Sequence, residues 1–350
     1  MLLVHSARFK TVLVQSETTQ GTDIIQAATA SARGAMAIET LNFKVSIDSV
    51  DLARKVQTDD YDSKGIVPTQ IAIVTEFDVE FKGIGVGMDA TTNKWRLDAL
   101  YRGGGMIPTY TAGPPKYATY NPAKASDFKT FATVPTFSLW ADCDGLTWKS
   151  AGSRADISYV MGLDDYPVIH FRTMGQLAAI PLTPTVNDGV MDSDFSGGGI
   201  TSITYQGGTV DPTPFMGVTC TVHGYPVDGT KFTLNMNSVL QKRKTFQHPN
   251  GVGAIFIQDR GELGTTGSVD AEITDRGDFD PMGLWRNGSV GVITAKWGTA
   301  FGEIELRSPT AQLRQPVLGE RDGIDTWELG FIARKNAGGD SHSLRIGSIT

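Results

Sequence analysis

The sequence predicts an all-β fold with short helices, and three observations carry that prediction. Forty Gly and sixteen Pro are spread along the 350 residues without clustering, so turns recur throughout. Short apolar runs such as Ile71-Ala72-Ile73-Val74 and Val290-Gly291-Val292-Ile293-Thr294 fill the spaces between the turns. Several segments alternate apolar and polar residues with period two, as a strand with one buried face does.

Residues 1–40 read as an N-terminal arm. Ser16-Glu17-Thr18-Thr19-Gln20-Gly21-Thr22 is polar, and the Ala-rich stretch 27–37 fits either a helix or an extended arm. From Leu41 the alternation begins, with Phe43, Val45 and Ile47 on one face and Lys44, Ser46 and Asp48 on the other. The clearest strand is 76–81, where Phe77, Val79 and Phe81 oppose Glu76, Asp78 and Glu80. Helical spacing of Trp95, Ala99 and Leu100 predicts a short helix over 93–102, stopped by Gly103. Further strands are expected at 137–140, 147–148, 157–160 and 168–172, with Asp144-Gly145 as a hairpin turn.

Pro181, Pro184, Asn187-Asp188-Gly189 and Gly197-Gly198-Gly199 mark a linker at 181–200, dividing the chain into domains 41–180 and 201–350. The second domain repeats the first in order. Asp78-Val79-Glu80 corresponds to Asp270-Ala271-Glu272, an offset of 270 − 78 = 192. Leu100-Tyr101-Arg102-Gly103-Gly104 corresponds to Leu284-Trp285-Arg286-Asn287-Gly288, an offset of 284 − 100 = 184. The extra Gly-rich hairpin tip at 83–87 fits the difference, and 165–171 aligns with 322–328. Acidic strand, short helix, hairpin and closing strand recur in the same order, which argues for tandem duplication.

Composition excludes several functions. A net charge of −7 and a pI near 5.3 leave no clustered basic stripe for holding phosphates. Lys242-Arg243-Lys244, the densest basic stretch, reads as a solvated loop. Two distant cysteines, Cys143 and Cys220, cannot make a disulfide framework and are expected reduced and packed. Met1-Leu2-Leu3-Val4 lacks the length of a secretory h-region, and no apolar run is long enough to cross a bilayer. A soluble chain, made in a cytoplasm, is expected.

No catalytic site, cofactor or metal is expected from the sequence. His5, His170, His223, His248 and His342 are scattered, without zinc-binding spacing. Nucleophile-elbow, phosphate-loop and dinucleotide motifs are missing. Same-face carboxylates on the 76–80 and 270–272 strands have the spacing of an acid–base pair, but follow the plain alternation of a strand with one wet face. The Asp188–Asp194 loop is oxygen-rich but lacks EF-hand spacing. An alternative is a carbohydrate-binding or adhesin-like β-sandwich with Trp140, Trp148 or Trp297 as a stacking platform.

Several segments together resemble the major tail tube proteins of siphophages, the phages with long non-contractile tails. They are Glu17-Thr18-Thr19-Gln20-Gly21-Thr22, then Trp95-Arg96-Leu97-Asp98-Ala99-Leu100-Tyr101-Arg102-Gly103-Gly104-Gly105-Met106 with Tyr117-Ala118-Thr119-Tyr120-Asn121-Pro122. Segment 137–177 is similar to the family's hairpin and closing strands, and Ile257-Gln258-Asp259-Arg260 leads to Gly267-Ser268-Val269. Closest is Ser308-Pro309-Thr310-Ala311-Gln312-Leu313 with Gly319-Glu320-Arg321-Asp322-Gly323, against the C-terminal signature. The long segment 113–133 and the middle linker depart from the pattern.

The resemblance implies two packed sheets with a helix alongside, and a long hairpin joining neighbours into a barrel around a channel. Rings would stack around a tape measure protein, meet tail terminator and distal tail proteins at the ends, and pass genomic DNA. The tube would be assembled in the host bacterial cytoplasm and reside in the virion. Two copies of the fold per chain imply trimeric, pseudo-six-fold rings, with hexameric rings of a single-copy chain as the alternative. Asp78, Glu80, Asp270 and Glu272 are then candidates to line the lumen, where an acidic wall would repel DNA; the outer wall is the other possibility. The arm and the segments 83–87 and 113–133 are candidates for contacts between stacked rings.

Overall fold

The computed structural model describes residues 10–29, 32–33, 35–53, 66–83, 88, 94–111, 113–143, 147–163, 165–177, 211–249, 251–273, 279–298 and 302–349. The first half contains β1 (Lys10–Ser16), β2 (Ala37–Ile38), β3 (Leu41–Ala53), β4 (Ile66–Glu80), β5 (Met106–Tyr110), β6 (Tyr117–Pro122), β7 (Phe137–Cys143), β8 (Thr147–Gly162) and β9 (Val168–Leu177). The second contains β10 (Thr219–Val222), β11 (Tyr225–Pro226), β12 (Gly229–Asn235), β13 (Val239–Lys244), β14 (Val252–Asp259), β15 (Thr265–Glu272), β16 (Val290–Trp297), β17 (Glu303–Leu313), β18 (Val317–Arg321), β19 (Ile324–Ala333) and β20 (Ser343–Gly347). Short helices Ile24–Ala27, Asp98–Gly103 and Pro281–Arg286 complete an all-β fold with short helices. Among the described residues no helix is long and apolar enough to cross a membrane.

One antiparallel sheet runs β3-β4-β9-β8-β12-β15-β19-β18. A second runs β5-β6-β20-β17-β16-β10-β11 and joins the first where β17 meets β19. Period-two alternation sends one face of each sheet inward. Phe77, Phe171, Phe232 and Phe331 come from the first sheet, while Tyr120, Ile304, Leu306 and Leu344 come from the second, and all share one buried cluster. Each such side chain removed from water contributes roughly 1.5–3 kcal/mol, so this cluster dominates the stability of the sandwich.

The pairing scheme repeats between the halves. β4 pairs with β9 as β15 pairs with β19: Asp78 lies opposite His170 and Glu80 opposite Val168, while Asp270 lies opposite Glu328 and Glu272 opposite Thr326. A short helix follows β4, and another follows β15. Each is succeeded by an antiparallel pair, β5–β6 or β16–β17. Both helices leave through a left-handed glycine, Gly105 (φ 75) and Gly288 (φ 62), a conformation that costs glycine nothing. The first helix starts later than its sequence spacing predicts, at Asp98, and it lies so close to β7 that a Cβ on Gly103 would come within 2.2 Å of Phe137.

The halves do not each close a core of their own. β12 pairs with β8, and β20 lies between β6 and β17, so among the described residues hydrogen-bond ladders cross from one half to the other twice. Hairpin tip 84–87, turn 144–146 and linker 181–200 lie outside the described residues.

The arm is built differently from the sequence expectation. β1 pairs along its whole length with β7, and Val12, Leu13 and Val14 are buried. Asp23 caps the helix Ile24–Ala27 by accepting from the amides of Ile25 and Gln26, and its other oxygen accepts from Trp140 Nε1 at 2.8 Å. Segment 113–133 is likewise no free loop, because it carries β6, paired on both sides.

Candidate functional site: a continuous polar sheet face with open edges

The outward face of the first sheet carries acidic side chains in both halves. Phe77 and Val79 turn into the core, so Glu76, Asp78 and Glu80 turn away from it; Val269 and Ala271 do the same for Asp270 and Glu272. All four candidate lumen carboxylates therefore lie on one face of one sheet. The alternation that suggested them also placed them.

Their electrostatic setting is less simple than an acidic wall, because each has a partner. Asp78 Oδ1 lies 2.7 Å from His170 Nδ1, and its Oδ2 accepts from Asn42 Nδ2 at 2.7 Å. Glu80 lies 3.5 Å from Lys82 Nζ, and neighbouring Glu76 lies 3.3 Å from Arg172 Nε. Arg321 forks onto two carboxylates, donating to Asp270 and, at 2.8 Å, to Glu272. Thr230 Oγ1 also donates to Asp270 at 2.7 Å. A planar guanidinium suits such a bridge, because its donors diverge in a fixed fork. The surface thus carries both signs of charge in neighbouring pairs.

At its far end this face is covered. Leu240, Val252 and Ile255 of the β13–β14 hairpin pack on Ala72, Val74 and Met174 of β4 and β9. Lys242 Nζ lies 2.9 Å from Asp48 Oδ1 and donates to the carbonyl of Gln70 at 3.1 Å. The basic triplet is therefore strand, not loop, and Lys242 is a docking residue.

Among the described residues both ends of the sheet are open. β3 pairs only with β4, and β18 only with β19, among the described residues. The outer strands carry exposed apolar side chains: Ile47 at 50%, Leu52 at 53%, Val317 at 56% and Leu318 at 65% exposure. Unpaired backbone beside exposed aliphatic side chains is a template for another strand. Sequence reasoning did not find these edges, since which strand ends a sheet depends on long-range pairing.

Other candidates fare differently. Trp140 and Trp297 are buried and cannot serve as stacking platforms; Trp148 is half-buried against the core. A cleft of about 580 Å³ runs between segment 122–128 and β14, and Phe128 is the one aromatic residue lining it among the described residues. Cys220 is free, and burial pushes its thiol up to about 12, so it stays protonated. The Asp188–Asp194 loop lies outside the described residues, among which no cluster of His, Cys, Asp and Glu could hold a metal ion.

Compared with known proteins, the sequence matches no family model and no curated protein.

Proposed function

We propose that this chain is a structural subunit of a bacteriophage tail tube, polymerising into stacked rings that form the channel for DNA ejection. The observation that carries this reading is the first sheet. It repeats one pairing scheme twice, keeps one face on the core, carries the four carboxylates on the other, and ends in two edges that are unpaired among the described residues. Such a sheet is a segment of cylinder wall, and closure with other copies removes its edges. Two repeats per chain suit three chains per ring, with pseudo-six-fold symmetry. The sequence resemblance supports the same architecture and supplies the expected partners: a tape measure protein in the bore, and terminator and distal tail proteins at its ends.

In this reading Asp78, Glu80, Asp270 and Glu272 face the bore. A wall that conducts DNA must not hold phosphates, and the geometry offers a physical means. Arg172, Arg321 and Lys82 already contact carboxylates of the same face. A passing phosphate must compete with those carboxylates, so little is gained by contact. Screening over about 8–10 Å confines any repulsion to the layer next to the wall.

Negative-stain microscopy of the purified protein tests this. Rings or hollow tubes are expected; a monodisperse monomer with affinity for glycans would overturn it.

A further inference from the structure

Within the chain, the halves meet in the first sheet where β12 pairs with β8. Thr233 lies opposite Val160, Leu234 opposite Tyr159 and Asn235 opposite Ser158. The counterparts of these strands in the other half are β3 and β18. β12 lies beside β15 with Thr233 opposite Ser268, and β3 lies beside β4 with Lys44 opposite Glu76, the position equivalent to Ser268. β8 lies beside β9 with Val160 opposite Val168, and β18 lies beside β19 with Gly319 opposite Thr326, the position equivalent to Val168. One pair of counterparts is joined. The other stands open at opposite ends of the sheet.

We infer that β3 of one copy pairs antiparallel with β18 of the next, with Lys44 opposite Gly319, Val45 opposite Leu318 and Ser46 opposite Val317. The junction repeats between chains the one that β12 and β8 make within a chain. It rests on the ring-forming reading above and names the strands and register that close the ring.

Side chains agree with this register. Tyr159 and Leu234 are buried together at the internal junction, and their counterparts are Leu318 and Val45. Leu318 lies opposite Trp327, which packs against the core, so it points to the core side and yet is exposed. A leucine left wet on the core side of an edge strand lacks its cross-strand neighbour, and Val45, itself partly buried against the core, fills that place. On the polar face Val317 meets Ser46. The lengths match too: β18 has 5 residues, and the internal ladder spans Lys231 to Asn235. Because each copy offers β3 at one end and β18 at the other, the contact is head-to-tail, and a second copy of this chain is its occupant.

Disulfide trapping reads the register directly. Ser46→Cys and Val317→Cys are exposed edge positions, and the double variant is expected to form intermolecular disulfides under mild oxidation, resolved as discrete multimers on non-reducing gels. The offset pair Lys44→Cys with Val317→Cys should not cross-link. A two-residue slip moves the partner by about 7 Å along the strand, beyond the reach of a disulfide. Single variants control for the native thiols. Rings seen by microscopy without this cross-link, or with the offset one, would overturn the junction and leave the ring reading standing. A protein that stays monomeric at assembly concentrations overturns both.

Discussion

Glu17 accepts hydrogen bonds from Thr136 Oγ1 at 2.6 Å, Ser138 Oγ at 3.0 Å, and the backbone amides of Gly152 and Gly21 at 2.7 and 2.8 Å. One buried carboxylate thus ties the N-terminal segment to β7 and β8. In sequence the surrounding Thr18-Thr19-Gln20 looks like solvated loop, because a satisfied buried polar group and a wet one have the same composition. Glu17→Ala strands those donors, and a loss of roughly 2–4 kcal/mol is expected in urea titrations; an unchanged midpoint would contradict this role. His342 makes a second residue-scale prediction. Burial, with the Arg260 guanidinium nearby, holds its imidazole well below the ordinary 6.5, and its Nε2 has no hydrogen-bond partner among the described residues. The unfolded chain therefore binds a proton there that the folded chain refuses. Stability is full above pH 6.5 and declines as pH falls below it. Melting temperatures should drop between pH 7 and pH 5, and His342→Leu should flatten the slope; His223, also lowered by burial, leaves a residual one. Equal slopes in both proteins would exclude His342 as the origin.

At the scale of elements, β1 changes what the N-terminal segment can do. A free arm could be removed without harm to the subunit, whereas β1 buries Val12, Leu13 and Val14 against the rest of the fold. Each buried side chain of that size contributes about 1.5–3 kcal/mol, and their sum is comparable with the whole stability of a typical domain. Deletion of residues 1–20 is expected to abolish cooperative unfolding, read by near-ultraviolet circular dichroism. A deletion variant that melts like the parent would show β1 to be dispensable. Elements with clear local signals were legible: Phe77 and Val79 marked both the strand and its buried face, whereas Gly103, expected to stop the helix, is its last residue and the left-handed exit falls at Gly105. Strands 147–148 and 157–160, expected as separate, are one long β8 that pairs first with β7 and then with β12. Local alternation carries no record of such a change of partner.

At the scale of the whole molecule, the order of repeated elements was readable from sequence, but their sharing of one core was not. That sharing comes from ladders between residues far apart in the chain, such as Leu344 with Tyr120, which no local pattern encodes. That the four carboxylates share one face was legible in their alternation. Arg321, the cation that bridges two of them, was missed because it lies 49 residues from Glu272 in sequence. In the proposed tube the ion-paired face has a consequence that can be measured. Changing Asp270→Asn together with Glu272→Gln releases Arg321, so variant tubes should retain duplex DNA in a salt-dependent manner, in filter-binding assays, where parent tubes do not. Equal retention would argue that this face is not in contact with DNA. Closure of copies of this sheet into a cylinder with the carboxylates inward is decided by a cryo-electron microscopy reconstruction of the purified protein. A hollow ring with Asp78, Glu80, Asp270 and Glu272 on the inner wall is expected; the same side chains on the outer surface, or particles without a bore, would overturn that closure.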